Sequence, residues 1–205
     1  MKNIKLILSI IVLVLLAGGG YFAYTLVQQN QQIKEQADLA VKAQQQAMEE
    51  KQAADAALAS RTKCVPGENF TIVTLDHDNA VGQDILVKQK TDGQACKYEV
   101  ADGDFEIKNS DPEYYKFQAA NALVTDLGTG PTGRSIRLYD LSEKKLITEK
   151  KYFGDLSLSG NTLTYFGEAK TKIKNCKGDS AVEKIVDLKT FLVKEGKTTK
   201  CVEAQ

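Results

Sequence analysis

The sequence of 205 residues contains no tryptophan, one histidine, three prolines and two methionines. Because His77 is the only histidine, a Ser-His-Asp triad would depend on it, and no G-x-S-x-G sequence accompanies it. His77 stands between Asp76 and Asp78, so a zinc site is chemically conceivable, but a solvated loop is the favoured interpretation. The sequence therefore predicts no catalytic residue, no metal ligand and no cofactor.

The sequence also has no excess of positive or negative charge. Lys and Arg together number 27, and so do Asp and Glu. This balance predicts neither nucleic acid nor an anionic surface as the obvious partner. The paired lysines at 144–145 and 150–151 fall in hairpin positions and are expected to face solvent.

The longest uncharged stretch, residues 6–33, begins with an apolar run at residues 6–27. As a helix this run would extend about 33 Å, enough to cross the core of a bilayer. Lys2 and Lys5 precede it, and positive charge resists translocation, so residues 1–5 are predicted to stay in the cytoplasm. We therefore expect a single span in a bacterial cytoplasmic membrane, with residues 28–205 outside. A signal peptide cleaved after the small residues 17–20 is the alternative, and it would give a secreted form.

Residues 28–62 are predicted to form a helical stalk. They are rich in Ala, Gln, Glu and Lys, and contain neither Pro nor Gly, a strongly helical composition. A heptad register passes through Ile33, Ala40, Ala47 and Ala54, but alanine makes a weak coiled-coil seam. A solvated spacer that ends at Pro66–Gly67 is favoured, and a self-associating or partner-binding coil is the alternative.

Residues 63–205 change to short apolar segments separated by turn residues, which predicts one antiparallel all-β sandwich or barrel-like meander. The protein as a whole is thus expected to be mainly β, with an N-terminal transmembrane helix and a stalk. Strands are predicted at 70–75, 85–90, 96–101, 122–127, 135–141, 145–153, 162–169 and 184–193. Residues 111–121 are compatible with a helix start or a hairpin, and the hairpin is favoured.

Four cysteines, at positions 64, 96, 176 and 201, form no C-x-x-C pair. In a compartment that permits oxidation, an even count predicts disulfides, and four cysteines allow three pairings. We favour Cys64–Cys96 and Cys176–Cys201, because each closes a short segment of the meander. The alternative Cys64–Cys201 would join the two ends of the domain.

Two loops contain fragments of ligand-binding motifs. Residues 128–135 match G-x-x-x-x-G-K-[ST] except that Arg134 replaces the lysine. A phosphate loop needs a helix after it, but residues 135–141 alternate like a strand, so a loop between two strands is predicted. Asp102 and Asp104 form part of a calcium-loop pattern without its closing glutamate, and we interpret them as turn residues.

Three resemblances bear on function. The order of apolar helix, stalk and cysteine-bearing β domain resembles that of type IV pilins, although the glutamate near the start of a mature pilin helix has no counterpart here. LeuTyrAspLeu at 138–141 and IleValAspLeu at 185–188 are similar to hairpins of propeller blades, in a domain too short for a full set of blades. Residues 114–152 also look like exported bacterial β domains of no known activity.

These observations predict a membrane-anchored binding or scaffolding module of the cell envelope, which interacts with another envelope protein or with itself through the stalk. An exported hydrolase and a pilin-like or oligomerising stalk protein are the alternatives.

Overall fold

The computed structural model describes residues 2–109, 111–128 and 134–202; for residues 2–27 it describes the helical backbone alone. The chain divides into two compact units, residues 1–56 and residues 57–205. The first is helical and the second consists mainly of antiparallel strands, as predicted from the sequence.

One helix, α1 (Lys2–Arg61), accounts for nearly all of the first unit. Every residue from 28 to 57 is exposed, in keeping with its polar, alanine-rich composition. The predicted span at residues 6–27 lies outside the residues whose side chains are described. Among the described residues, we find no helix that is both long and apolar enough to cross a membrane.

The helix ends at Arg61, earlier than the predicted stop at Pro66–Gly67. The hydroxyls of Ser60 and Thr62 donate to the carbonyls of Ala57 and Leu58, each at 2.8 Å, and so satisfy acceptors of the last turn. From Thr62 onward the backbone pairs with a neighbouring strand instead.

The described part of the second unit forms eleven strands: β1 (Thr62–Pro66), β2 (Phe70–Asp76), β3 (Gln83–Gln89), β4 (Phe105–Ile107), β5 (Glu113–Ala119), β6 (Ala122–Leu127), β7 (Ser135–Asp140), β8 (Lys145–Ser159), β9 (Thr162–Glu168), β10 (Asp179–Asp187) and β11 (Leu192–Val202). The first four form a four-stranded sheet in the order β1-β2-β3-β4. The rest form a seven-stranded sheet in the order β11-β10-β9-β8-β7-β6-β5.

Two predicted strands differ from the structure. The strand predicted at residues 96–101 is wrong: this segment has no strand pairing and is tied to β1 through the Cys64–Cys96 disulfide, and the short strand β4 follows it. Residues 184–193 are not one strand but the hairpin between β10 and β11, with the turn at residues 188–191. The hairpin favoured for residues 111–121 is confirmed as β5 and β6.

Strand β8 divides the seven-stranded sheet into two halves. Its first part pairs with β7 and its second part with β9, and the register shifts between Phe153 and Ser157, where Gly154 has a φ of 76°. Such an irregularity bends a strand. The chain from β1 to β11 is therefore three successive four-stranded meanders, β1–β4, β5–β8 and β8–β11.

Two apolar cores hold the three meanders together. One core joins β2, β3 and β4 to the second meander through residues that include Ile72, Ile85, Leu123 and Leu141. The other joins the second and third meanders through residues that include Val124, Leu163 and Val186. Because β6 faces both cores, residues 122–126 are all buried.

The Asp-Leu pairs at residues 140–141 and 187–188 lie at equivalent turns of the second and third meanders. Asp140 and Asp187 each accept a hydrogen bond from the backbone of the turn that follows. The buried Leu141 and Leu188 donate backbone hydrogen bonds to Asn121 and Asn161, both at 2.8 Å. The similarity between residues 138–141 and residues 185–188 therefore corresponds to a repeated hairpin.

Two disulfides confirm the favoured pairing, Cys64–Cys96 and Cys176–Cys201. Cys64 is the register partner of Val73, so its side chain lies on the face of the first sheet that turns away from the core. Val73 and Leu86, which lie on this face, are 1% and 0% exposed. The disulfide thus ties the segment around Cys96 to the strand whose Cys64 side chain lies on the same face.

Candidate functional site

The polar side chains of the acidic loop around His77 make separate contacts. His77 Nε2 lies 3.2 Å from Asp84 Oδ1, Asp78 pairs with Arg61 at 2.8 Å, and Asp76 accepts hydrogen bonds from a lysine and a glutamine. Among the described residues, no group of three or more His, Cys, Asp or Glu side chains is placed to hold a metal ion.

Asp102 and Asp104 lie in the turn before β4. Asp104 accepts a hydrogen bond from the backbone of Ala101 at 3.0 Å and lies 3.7 Å from Lys88 Nζ. These contacts agree with the interpretation of this segment as a turn.

The loop at residues 128–135 joins two antiparallel strands, β6 and β7, and a strand follows it where a phosphate loop would have a helix. Its interior, residues 129–133, lies outside the described residues. The guanidinium of Arg134 makes two contacts with the carboxylate of Asp126, which is 3% exposed and also accepts a hydrogen bond from Tyr152 at 2.8 Å. Arg134 thus neutralises a buried carboxylate of its own sheet.

A second buried carboxylate, Glu113, lies on the opposite face of the same sheet and is 2% exposed. The hydroxyls of Thr125 and Tyr139 and the guanidinium of Arg137 donate hydrogen bonds to it. Arg137 also donates to Asp111 and Glu149 at 3.1 and 2.8 Å, and these three partners together raise the pKa of its guanidinium despite partial burial.

Both buried carboxylates are fully partnered by groups of their own meander. Partnered buried polar groups specify and rigidify a fold, whereas a catalytic acid or base must also reach a substrate. We therefore assign Glu113 and Asp126 structural roles.

Three open clefts lie along the described part of the second unit. One of about 300 Å³ lies at the end of the core between the first two meanders and includes Phe70, Phe105 and Leu141. One of about 360 Å³ lies beside Asp126 and Arg134. The third, which we call the lysine cleft, measures about 310 Å³ and is lined by Lys150, Lys151, Tyr165, Gly167, Glu168, Lys184 and Val193.

The lysine cleft depends on a glycine at its floor. Gly167 is the register partner of both Tyr152 and Val182. A Cβ atom there would lie 3.1 Å from Lys184 Cγ and 3.2 Å from Tyr165 Cε2. The missing side chain therefore lets the Lys184 chain and the Tyr165 ring line one concave surface.

The lysine cleft lies in the basic part of a domain whose charge is unevenly divided. Residues 62–143 contain 8 Lys and Arg against 14 Asp and Glu, a net charge of −6, whereas residues 144–202 contain 13 Lys against 7 Asp and Glu, a net charge of +6. The overall balance of 27 against 27 hides this division. The cleft was not predicted from the sequence, but a charge count taken by segment would have pointed to its meander.

No family model, no curated protein and no solved structure matches this chain. The functional assignment therefore depends on the chemistry of its residues.

Proposed function

We propose that this protein is a single-span membrane protein of the bacterial cell envelope whose β domain is a binding or scaffolding module outside the cytoplasm. In this proposal residues 6–27 cross the cytoplasmic membrane, residues 1–5 stay in the cytoplasm, and α1 continues as the spacer that carries the β domain. The apolar run and the lysines at positions 2 and 5 support this orientation.

The continuity of α1 is the observation that carries the proposal. The helix extends from Lys2 to Arg61, and β1 starts at the next residue. Residues 28–57 are exposed on all sides, as expected of a solvated spacer helix. Residues 28–61 would give a reach of about 50 Å.

The two disulfides support placement outside the cytoplasm. Disulfides persist in oxidising compartments and are rare in the reducing cytosol. Binding is favoured over hydrolysis because the buried carboxylates of the second meander are occupied by structural partners, while the cleft beside Asp126 is open.

Self-association through the stalk is a second candidate, and a specific observation favours it. Ile33, Val41 and Met48 are 62%, 52% and 59% exposed, and Val41 and Met48 are one heptad apart. Burying such side chains against a second stalk would be favourable. Chemical cross-linking of the full chain in cells tests it: a dimer or trimer band lost in a Val41→Gln and Met48→Gln double variant supports it, and a monomer alone contradicts it.

Carbonate extraction of membranes tests the anchor. We expect the full chain of 205 residues to stay in the membrane fraction and to yield to detergent only. Replacing Leu13 and Leu15 by arginine should prevent retention, since each charge costs about 2.5–3.5 kcal/mol at the centre of a span. A shorter, carbonate-soluble protein that begins after residue 20 would contradict the anchor and identify a cleaved signal.

A further inference from the structure

One buried tyrosine differs from the others in its hydroxyl. Tyr139, Tyr152 and Tyr165 are 6%, 4% and 3% exposed. The hydroxyls of Tyr139 and Tyr152 each donate to a buried carboxylate at 2.8 Å. The hydroxyl of Tyr165 has no partner among the described residues, and burial alone raises its pKa, so it stays protonated and able to donate. Buried hydroxyls normally find a partner.

Tyr165 lines the lysine cleft, and its hydroxyl is not one of the unpartnered polar atoms that the described chain encloses completely. This hydroxyl is therefore the hydrogen-bond donor that we assign to a ligand in the cleft.

Three lysines and one glutamate, Glu168, line the cleft, and this excess of positive charge favours an anionic ligand. Lys150 has no partner among the described residues. Lys151 lies 3.4 Å from Glu168 and 3.7 Å from Asp179, a loose pairing. Lys184, whose side chain is 15% exposed, bonds Glu195 at 2.7 Å.

The lysines of the cleft suit a phosphate group. Lysine is a common phosphate binder and acts as a compact point charge, which needs no fixed planar geometry in the anion. Residues 144–202 contain 13 lysines and no arginine. The volume of about 310 Å³ is at the lower end of the range for ligand sites, enough for one phosphate group and a small attached moiety.

We propose that the lysine cleft binds a phosphate group, with Tyr165 donating a hydrogen bond to a phosphate oxygen and Lys150 and Lys184 supplying positive charge. This names the ligand class for the proposed binding module. The phosphate belongs either to a soluble phosphate ester or to a lipid headgroup.

A titration of the full chain with inorganic phosphate tests the site. The protein is labelled with ¹⁵N-glycine and kept in a non-ionic detergent at pH 7, with chloride holding ionic strength constant. Loss of one signal in Gly167→Ala assigns the reporter among the 15 glycines. We expect a saturable shift of the Gly167 amide signal. Its absence would overturn the proposal.

Three variants distinguish phosphate binding in the lysine cleft from nonspecific attraction of phosphate to lysine side chains. Tyr165→Phe removes only the unpartnered hydroxyl, so it should leave thermal stability unchanged and raise Kd about tenfold or more, as expected for a hydrogen bond to a charged group. Lys150→Gln alters an exposed side chain and should raise Kd about threefold or more. Lys189→Gln, the same charge change on an exposed turn, should leave Kd within about twofold. Equal Kd values in wild type and Tyr165→Phe, or equal losses in the two lysine variants, would contradict the proposal.

Two further probes distinguish the sources of phosphate. Competition by glycerol 3-phosphate alone indicates a soluble ester, and competition by short-chain phosphatidylglycerol indicates a headgroup. Failure of both to compete with bound phosphate would contradict a biological ligand of this class. Because the titration uses purified protein, its result does not depend on the membrane topology, and either proposal can fail alone.

Discussion

Arg137 is expected to be the most costly charged side chain to remove from the described part of the second unit. It is 18% exposed and contacts three carboxylates, of which Glu113 is 2% exposed. Replacement by methionine keeps much of the volume but leaves Glu113 without its cation. Removing one partner of a buried ion pair costs about 3–5 kcal/mol. Because the hydroxyls of Thr125 and Tyr139 still donate to Glu113, we expect a loss at the lower end, about 3 kcal/mol.

Two companion variants identify the cause of that loss. Glu149→Gln removes a partner that is 42% exposed and should cost no more than about 1 kcal/mol. In the double variant Arg137→Met and Glu113→Gln, the amide oxygen still accepts from both hydroxyls, and no charge is buried. The double variant should therefore be more stable than Arg137→Met alone, with a coupling energy of about 2 kcal/mol.

Urea unfolding at pH 7, followed by circular dichroism, measures these differences. A loss below about 1 kcal/mol in Arg137→Met would contradict a buried ion pair between Arg137 and Glu113. A double variant no more stable than Arg137→Met would also contradict it, because the loss would then come from packing and not from an unpaired buried charge.

Three further predictions concern other parts of the second unit. Replacing Cys64 and Cys96 by alanine should lower the free energy of unfolding by about 3.7 kcal/mol, the value of the chain-entropy model for a separation of 32 residues. A loss below about 1 kcal/mol in urea unfolding would contradict this. The pKa of Tyr139 is raised, mainly by burial and next by the negative charge of Glu113. The Tyr139 hydroxyl therefore contributes fully to stability below pH 10, and this contribution is lost as pH rises above 10. Tyr139→Phe should accordingly show a shallower decline of the urea midpoint between pH 10 and 11.5, and an identical decline would contradict it. Arg134→Ala should destabilise the fold by about 2–3 kcal/mol, because it leaves the buried carboxylate of Asp126 without its cation. We expect no ATP binding by the wild type or the variant. Micromolar ATP binding by the wild type that is lost in the variant would instead identify a phosphate loop.

Much of the fold could be predicted because its signals are local. The alternating residues of β2, β6, β7 and β9 and the turn residues between them predicted these strands. The disulfide pairing followed from short separations along the meander. The strand predicted at 96–101 was wrong: its apolar alternation finds no neighbouring strand to pair with, and the segment is tied to β1 by the Cys64–Cys96 disulfide.

The candidate site could not be predicted in the same way. Tyr165 and Gly167 are ordinary strand residues in the sequence, and only the register of β9 with β10 brings them beside Lys184. The buried carboxylates were equally hidden, because their partners come from strands up to 26 residues away. Tertiary pairing, which a local pattern does not encode, creates both features.

The thiol state of the protein in intact cells tests both the fold of the β domain and its placement outside the cytoplasm. Cells are treated with an alkylating reagent at lysis, and peptides of the full chain are mapped without reduction. We expect one peptide that links Cys64 to Cys96, one that links Cys176 to Cys201, and no alkylated cysteine. Four alkylated cysteines would contradict placement of the β domain outside the cytoplasm, and a peptide that links Cys64 to Cys201 would contradict the fold.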